Sequence, residues 1–112
     1  LLTGQASSSL IADVLGTATQ DAKSLIVISS DLSHYLDYET ARKIDQYTSQ
    51  AIISMDNHDI DKFHACGCDA IRGFLEYARN ANMSGQIMAL SNSGDIVRKK
   101  ERVVGYGAYL FE

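Results

Sequence analysis

Asp31, His34 and Cys66 are the residues of this 112-residue chain whose types and surroundings best suit chemistry. Asp31 and His34 lie three positions apart, so both side chains point the same way if the chain turns helically there. A carboxylate beside an imidazole fixes the tautomer of the ring and raises its basicity, which favours a general base or a metal ligand. The structural alternative is that Asp31 caps a turn and His34 satisfies buried backbone groups.

Cys66 directly precedes Gly67 and a predicted helix. The positive end of a helix dipole favours the thiolate form of a cysteine, which suits a nucleophile or a soft metal ligand. The alternative is a small buried hydrophobic residue. A separate, local interpretation is a zinc or copper clip, because His64, Cys66 and Cys68 alternate and would share one face of a strand. Helical patterns on both sides argue against a strand at that point.

A short aliphatic run, LIVI at residues 25–28, leads directly into the polar stretch SSDLSHY at residues 29–35. A run this short, without polar alternation, predicts a strand buried on both faces, as in a parallel sheet. The carboxyl ends of such strands are where ligands bind in open α/β sheets. We therefore expect Asp31 and His34 at the tip of a central strand.

Helices and further strands are predicted around this central strand. Apolar residues recur at helical spacing in residues 10–18, 38–55 and 70–78, and Asp37 is a good N-cap for the second helix. On that helix we place the polar residues, including Arg42, Lys43, Asp45, Gln46 and Gln50, mostly opposite the apolar face. Residues 86–90 and 103–111 are predicted strands, and Gly105 and Gly107 indicate that something packs closely against the second of these.

The order of these elements predicts an α/β fold with a mixed or mostly parallel sheet flanked by helices. A strand, a helical crossover and a second strand usually form a parallel pair. We expect residues 1–112 to form a single domain that is the C-terminal part of a larger one. The chain opens on LLTG without a methionine, which we interpret as the tail of a strand whose N-terminal neighbours are missing.

Composition excludes several classes of function. The net charge is −4 and no basic block is present, so nucleic acid is not an expected partner. No apolar run is long enough for a membrane span. Cys66 and Cys68 are too close in sequence for an easy disulfide, and reduced thiols are typical of the cytoplasm. No glycine-rich phosphate loop follows a strand, and Ser29 and Ser30 lack the glycine-flanked elbow of a hydrolase serine.

Five motifs together resemble the Memo family, known in bacteria and archaea as AmmeMemoRadiSam system protein B. They are SSDLSHY at residues 29–35, YETARKID at 38–45, ACG at 65–67, NSGD at 92–95 and VVGYGAY at 103–109. Each motif alone is weak, but all five occur in the order of the family and span nearly the whole chain. The resemblance covers only the C-terminal part of a family member, which is more than twice this length.

The resemblance implies a fold like that of class III extradiol dioxygenases, which use non-haem iron. It implies a pocket in which Cys66 binds a metal together with two histidines that have no counterpart in this chain, with Asp31 and His34 at the same pocket. Eukaryotic members are linked to receptor-tyrosine-kinase-driven cell motility and to redox handling of metal ions, whereas the reaction of prokaryotic members is not settled.

Two functions are therefore expected. In the first, the chain belongs to a metal-dependent, dioxygenase-like redox protein: Asp31 orients His34, His34 acts as an acid/base or metal ligand, and Cys66 binds the metal. Iron, copper or zinc is the expected ion in the full-length protein, and this chain alone would bind it poorly or not at all. In the second, the protein is a non-enzymatic adaptor whose pocket binds a small molecule or a peptide.

Overall fold

The computed structural model describes residues 2–21 and 23–112, and Leu1 and Ala22 lie outside the described residues. Part of the predicted opening strand therefore cannot be compared, and the rest of it forms a loop and a turn. The helices and strands, in chain order, are α1 Ser8–Ala18, β1 His34–Leu36, α2 Tyr38–Ile53, α3 Cys68–Asn80, β2 Gly85–Asn92 and β3 Val103–Phe111, with a single 3-10 turn at Ser93–Asp95 between β2 and β3.

The three helices follow the sequence signals for helix formation. The Ser7 hydroxyl caps α1 by accepting a hydrogen bond from the Leu10 amide, and the Asp37 carboxylate caps α2 by accepting one from the Thr40 amide at 3.1 Å. Helix α2 ends at Ile53, two residues before the predicted end. Helix α3 begins at Cys68 and so includes more residues than its apolar spacing predicts.

The sheet has three strands in the order β1-β3-β2, and both pairs are antiparallel. The predicted mixed or mostly parallel sheet is therefore wrong. The prediction assumed that residues 25–28 form a sheet strand joined to a later strand by a helical crossover. Instead, the first strand of the sheet begins at His34, and β2 and β3 follow one another and pair directly across the connection that joins them.

The aliphatic run at residues 25–28 is extended, but it is not a strand of the sheet. Leu25 is 85% exposed and Val27 77% exposed, and no backbone group of residues 25–29 hydrogen-bonds to another described residue. The predicted buried strand is wrong here because aliphatic content specifies apolar surface, whereas a strand also requires a neighbour to satisfy its amides and carbonyls. Ile28 alone packs partly against the core.

The core lies between the helices and β3. Its buried members come from the end of the extended segment, α2, the connection after α2, and α3: Leu32, Ala51, Ile52, Ile60, Ala65, Cys68, Ile71 and Leu75. Phe74 packs edge-to-face on Phe111, which joins α3 to β3. Helix α1 packs against α3, with Ile11 close to Gly73. No helix in the described ranges is long and apolar enough to cross a bilayer.

The exposed segment at residues 25–29 leads to the first prediction. An extended segment with unpaired backbone and exposed aliphatic side chains favours edge-to-edge association. Val27→Lys should therefore lower self-association at high protein concentration without lowering the thermal midpoint, because the side chain makes no buried contact. Sedimentation equilibrium and thermal unfolding measure the two quantities.

Val14→Lys is the matched control, because Val14 is also exposed but lies on α1, where the backbone is already hydrogen-bonded. This control should leave the association unchanged. Equal association of the Val27→Lys variant and the wild type would show that the segment is not the contact.

Asp95 carries the second prediction. The Tyr38 hydroxyl and the Asn92 amide donate hydrogen bonds to its carboxylate at 2.6 and 2.9 Å, and together they lower the pKa of Asp95 below its ordinary value of 3.8. A lowered native pKa stabilises the fold above the unfolded pKa, and this stabilisation is lost as pH falls through the native pKa. The stability advantage of wild type over Asp95→Asn should thus shrink between about pH 5 and about pH 2.

Urea unfolding at a series of pH values, followed by circular dichroism, measures this advantage. Tyr38→Phe removes the larger of the two contributions and should flatten the pH dependence. An advantage that stays constant over the whole pH range would contradict the assignment.

Candidate functional site

The candidate site lies where the chain after the exposed segment crosses the start of α3. The Cys66 amide donates to the Asp31 carbonyl at 3.3 Å, and the Asp31 amide donates back to the Cys66 Sγ at 3.3 Å. The Gly67 amide donates to the Ser30 Oγ at 2.9 Å, and the Ser30 hydroxyl donates to the Asp31 carbonyl. A side chain at Gly67 would press on Ser30, so glycine is required for this approach. Two segments distant in sequence are thus held together through their backbones.

Asp31, His34 and Cys66 converge at this crossing. One carboxylate oxygen, one imidazole nitrogen and the thiol sulfur all lie within 4.8 Å of one another. The His34 Nε2 is 3.6 Å from the Asp31 Oδ2, although residues 31–34 do not form the helical turn on which the expectation from their spacing relied. The structure therefore brings together all three residues singled out in the sequence, and their chemical roles remain predictions.

An irregularity in β1 directly follows His34. His34 pairs with Val104 and Leu36 with Val103, so Tyr35 is an extra residue, as in a β-bulge. Tyr35 has a φ of +59°, a left-handed conformation that is uncommon for a bulky residue and costs of order 1–3 kcal/mol. The Arg102 guanidinium stacks on the Tyr35 ring at 4.7 Å and helps to hold this residue.

The site is open to solvent on one side. The His34 side chain is 33% exposed and the Asp31 side chain 48% exposed, and Cys66 is exposed as well. Cys68, by contrast, is buried, and burial raises the pKa of its thiol. The two cysteines are therefore in chemically different environments despite their proximity in sequence.

The local clip of His64, Cys66 and Cys68 does not form. Cys68 belongs to α3 and points into the core, whereas Cys66 is exposed, so the three side chains do not share a face. His64 instead pairs with Asp61 through Nδ1 at 2.9 Å. This alternative metal site is therefore excluded by the helix that begins at Cys68.

The three donors at the crossing suit a transition-metal ion. Ligand atoms of a tetrahedral zinc site lie about 2.0–2.3 Å from the ion and hence about 3.3–3.8 Å apart. The 3.6 Å between Asp31 and His34 falls in this range, and all three donor atoms lie within 4.8 Å of one another. Sulfur, imidazole nitrogen and carboxylate oxygen together match zinc, iron or copper better than calcium or magnesium. The Asp31 amide, which donates to the Cys66 Sγ at 3.3 Å, is in place to stabilise a thiolate at Cys66.

An apolar cavity of about 580 Å³ adjoins the site. Its walls come from the exposed segment, α3 and β3, and include Ile26, Ile28, Phe74 and Tyr109. Ser30 lines this cavity and also contacts the Cys66 sulfur, so cavity and donors share a wall. A molecule in the cavity would therefore lie close to the candidate ligands.

Sequence reasoning missed two supporting residues, Ser33 and Asp45. Asp45 was placed on the polar side of α2, yet it is 2% exposed and accepts a hydrogen bond from the Ser33 amide at 3.0 Å. The spacing of Asp45 from Ala41, Thr48 and Ile52 puts it on the buried face of the helix, and this spacing was the available signal. Ser33 itself carried no signal beyond its place next to His34.

Comparison with known proteins identifies relatives over almost the whole chain. The family model described as "Memo-like protein" matches residues 2–110. A MEMO1 family protein of Nitrosopumilus maritimus is 32% identical over 88% of this chain and 40% of its own length. Similar proteins of Methanosarcina mazei, 32% identical over 92% of this chain, and of Aeropyrum pernix, 34% identical over 75%, carry the same family name.

The chain spans about two fifths of the length of the first of these relatives. The family model nevertheless matches nearly every residue and includes both sides of the crossing between residues 30–31 and residues 66–67. On this ground the chain belongs to the Memo family.

Proposed function

We propose that this chain provides part of a metal-dependent redox site of dioxygenase-like type. The observation that carries the proposal is the convergence of Asp31, His34 and Cys66 from segments that lie 35 residues apart in the chain. Three different donor atoms within 4.8 Å, held by backbone hydrogen bonds, are arranged as a metal site requires. The reaction and the substrate are not specified by these donors.

Each of the three residues has a distinct part in this proposal. Cys66 binds the metal through its sulfur, which accepts a hydrogen bond from the Asp31 amide. His34 is a second ligand or, when it does not bind the ion, an acid/base group at the edge of the site. The Asp31 carboxylate lies 3.6 Å from the His34 Nε2 and orients the ring, as outer-sphere carboxylates do for metal-binding histidines.

A bound ion would supply Lewis acidity if it is zinc, and electron transfer as well if it is iron or copper. Two protein ligands, Cys66 and His34, leave further coordination positions open, and we expect the two histidines implied by the family resemblance to fill some of them in the full-length protein. The two free thiols support a reducing, cytoplasmic compartment for this chemistry.

Cobalt binding tests this proposal. Co²⁺ substitutes for zinc or iron and gives a thiolate charge-transfer absorption only when a cysteine sulfur binds it. Titration of the wild-type chain with a large excess of cobalt should produce this absorption even though two ligands of the full-length site are missing, and Cys66→Ala should abolish it. His34→Ala should weaken the affinity by more than the ~10–100-fold that is typical for loss of an outer-sphere partner.

Cys68→Ala is the matched control, because Cys68 is two residues away but buried in the core. This variant should retain the absorption once its fold is verified by circular dichroism. Charge-transfer absorption that persists in Cys66→Ala and disappears in Cys68→Ala would overturn the assignment of the sulfur ligand.

The apolar cavity favours a second candidate function. In it the protein is a non-enzymatic adaptor or ligand-binding protein, and the 580 Å³ cavity takes up a small apolar molecule or the side chains of a peptide. The cavity lies between the helices and β3, where a largely apolar wall with a few hydroxyl groups would orient such a ligand. The metal donors would then be incidental to binding.

A fluorescent apolar probe, 8-anilinonaphthalene-1-sulfonate, distinguishes this candidate. Ile26 lines the cavity, so Ile26→Gln should weaken probe binding about fivefold, which corresponds to ~1 kcal/mol of lost apolar contact. Val27→Gln changes the adjacent but exposed residue and should leave the affinity unchanged. Equal affinity in all three proteins would show that the probe does not bind in this cavity.

A further inference from the structure

Asp45 is the only charged side chain that is fully buried among the residues described, and nothing proposed so far uses it. Burial raises the pKa of this carboxyl, so the position disfavours a charge. No lysine or arginine in the described chain lies within ion-pair distance of it. A buried acidic residue without a cation partner costs stability, and its contacts must therefore be considered individually.

The contacts of Asp45 lead directly to the metal-site segment. The Asp45 Oδ1 accepts a hydrogen bond from the Ser33 amide at 3.0 Å, and Ser33 is the residue immediately before His34. The buried Ser33 hydroxyl has no hydrogen-bond partner among the described residues, yet it lies near enough to lower the pKa of the same carboxyl. Asp45 thus holds this serine from the helix side.

Strand β3 also hydrogen-bonds to the segment at residues 32–33. The Leu32 amide donates to the Gly105 carbonyl, and the Gly105 amide donates to the Ser33 carbonyl, both at 2.9 Å. Gly105 also faces the Asp45 carboxylate so closely that a methyl group at this position would overlap it. The absence of a side chain at Gly105 therefore lets the Asp45 carboxylate of α2 approach Ser33.

We propose that Asp45 is a positioning residue. By anchoring the Ser33 amide, it fixes the direction of the His34 side chain and keeps the imidazole beside Asp31 and Cys66. This inference rests on the proposed metal site for its functional consequence. Its structural content, the link from Asp45 to the direction of His34, stands on the contacts of Ser33 and Gly105.

Amide hydrogen exchange tests the anchoring step. The Leu32 amide is an internal reference, because it bonds to Gly105 and not to Asp45. In Asp45→Ala, the exchange rate of Ser33 should rise relative to that of Leu32, whereas a general loss of stability would raise both rates together. Asp45→Asn keeps a neutral acceptor of the same size and should raise the ratio only about fivefold.

Imidazole resonances test the positioning step without a metal. Cys66→Ala should shift the His34 ring signals in the wild-type background, because the two side chains are adjacent. The same substitution should leave these signals nearly unchanged in the Asp45→Ala background. Cobalt affinity should fall about 10–100-fold in Asp45→Ala and recover largely in Asp45→Asn.

Thr48→Ala is the matched control, since the Thr48 hydroxyl is buried on the same helix but donates to the Ile44 carbonyl. It should change neither the exchange ratio nor the His34 signals. If Asp45→Ala does not fold, an unchanged exchange ratio in Asp45→Asn overturns the proposal. An unchanged ratio or an unchanged His34 response in folded Asp45→Ala overturns it as well. A wild-type chain that shows the His34 response but no cobalt absorption would defeat the metal site alone.

Discussion

The hydrogen bonds between residues 30–31 and residues 66–67 are the interaction on which the candidate site depends. Three backbone amides, those of Asp31, Cys66 and Gly67, donate hydrogen bonds across this crossing, and glycine at position 67 permits the approach. Without the crossing, Asp31 and His34 would be a solvent-exposed pair and Cys66 a free surface thiol. With the crossing in place, these three residues form one cluster of donor atoms.

The Asp45 carboxylate also holds this part of the chain, because it accepts a hydrogen bond from the Ser33 amide next to His34. Polar groups are costly to bury, so a chain that buries a carboxylate and the unpartnered hydroxyl of Ser33 at one point sacrifices stability there. The strained backbone of Tyr35 adds to that cost. Two of these costs, at Ser33 and Tyr35, fall on the residues that flank His34.

Local signals in the sequence predicted the helices and β3 well, and non-local pairing was not predictable in the same way. Apolar spacing and the cap at Asp37 located α2, and β-branched and aromatic residues located β3 with the observed bounds. The run at residues 25–28 has equally strong β propensity, but its pairing depends on a neighbour that propensity does not specify. The family motifs identified Asp31, His34 and Cys66, while Asp45 escaped notice because a charged residue was assigned to the polar face by its type.

The distance along the chain between the two sides of the crossing has a kinetic consequence. Closing a loop of 35 residues carries an entropic cost that must be met before the donors can gather, so the cluster belongs to the late, cooperative part of folding. A partly folded chain would present each donor singly, with little selectivity among ions. Binding of an ion by the assembled cluster would in turn stabilise the native state by mass action. The fraction of chains with a bound ion and the fraction that is folded would therefore rise and fall together.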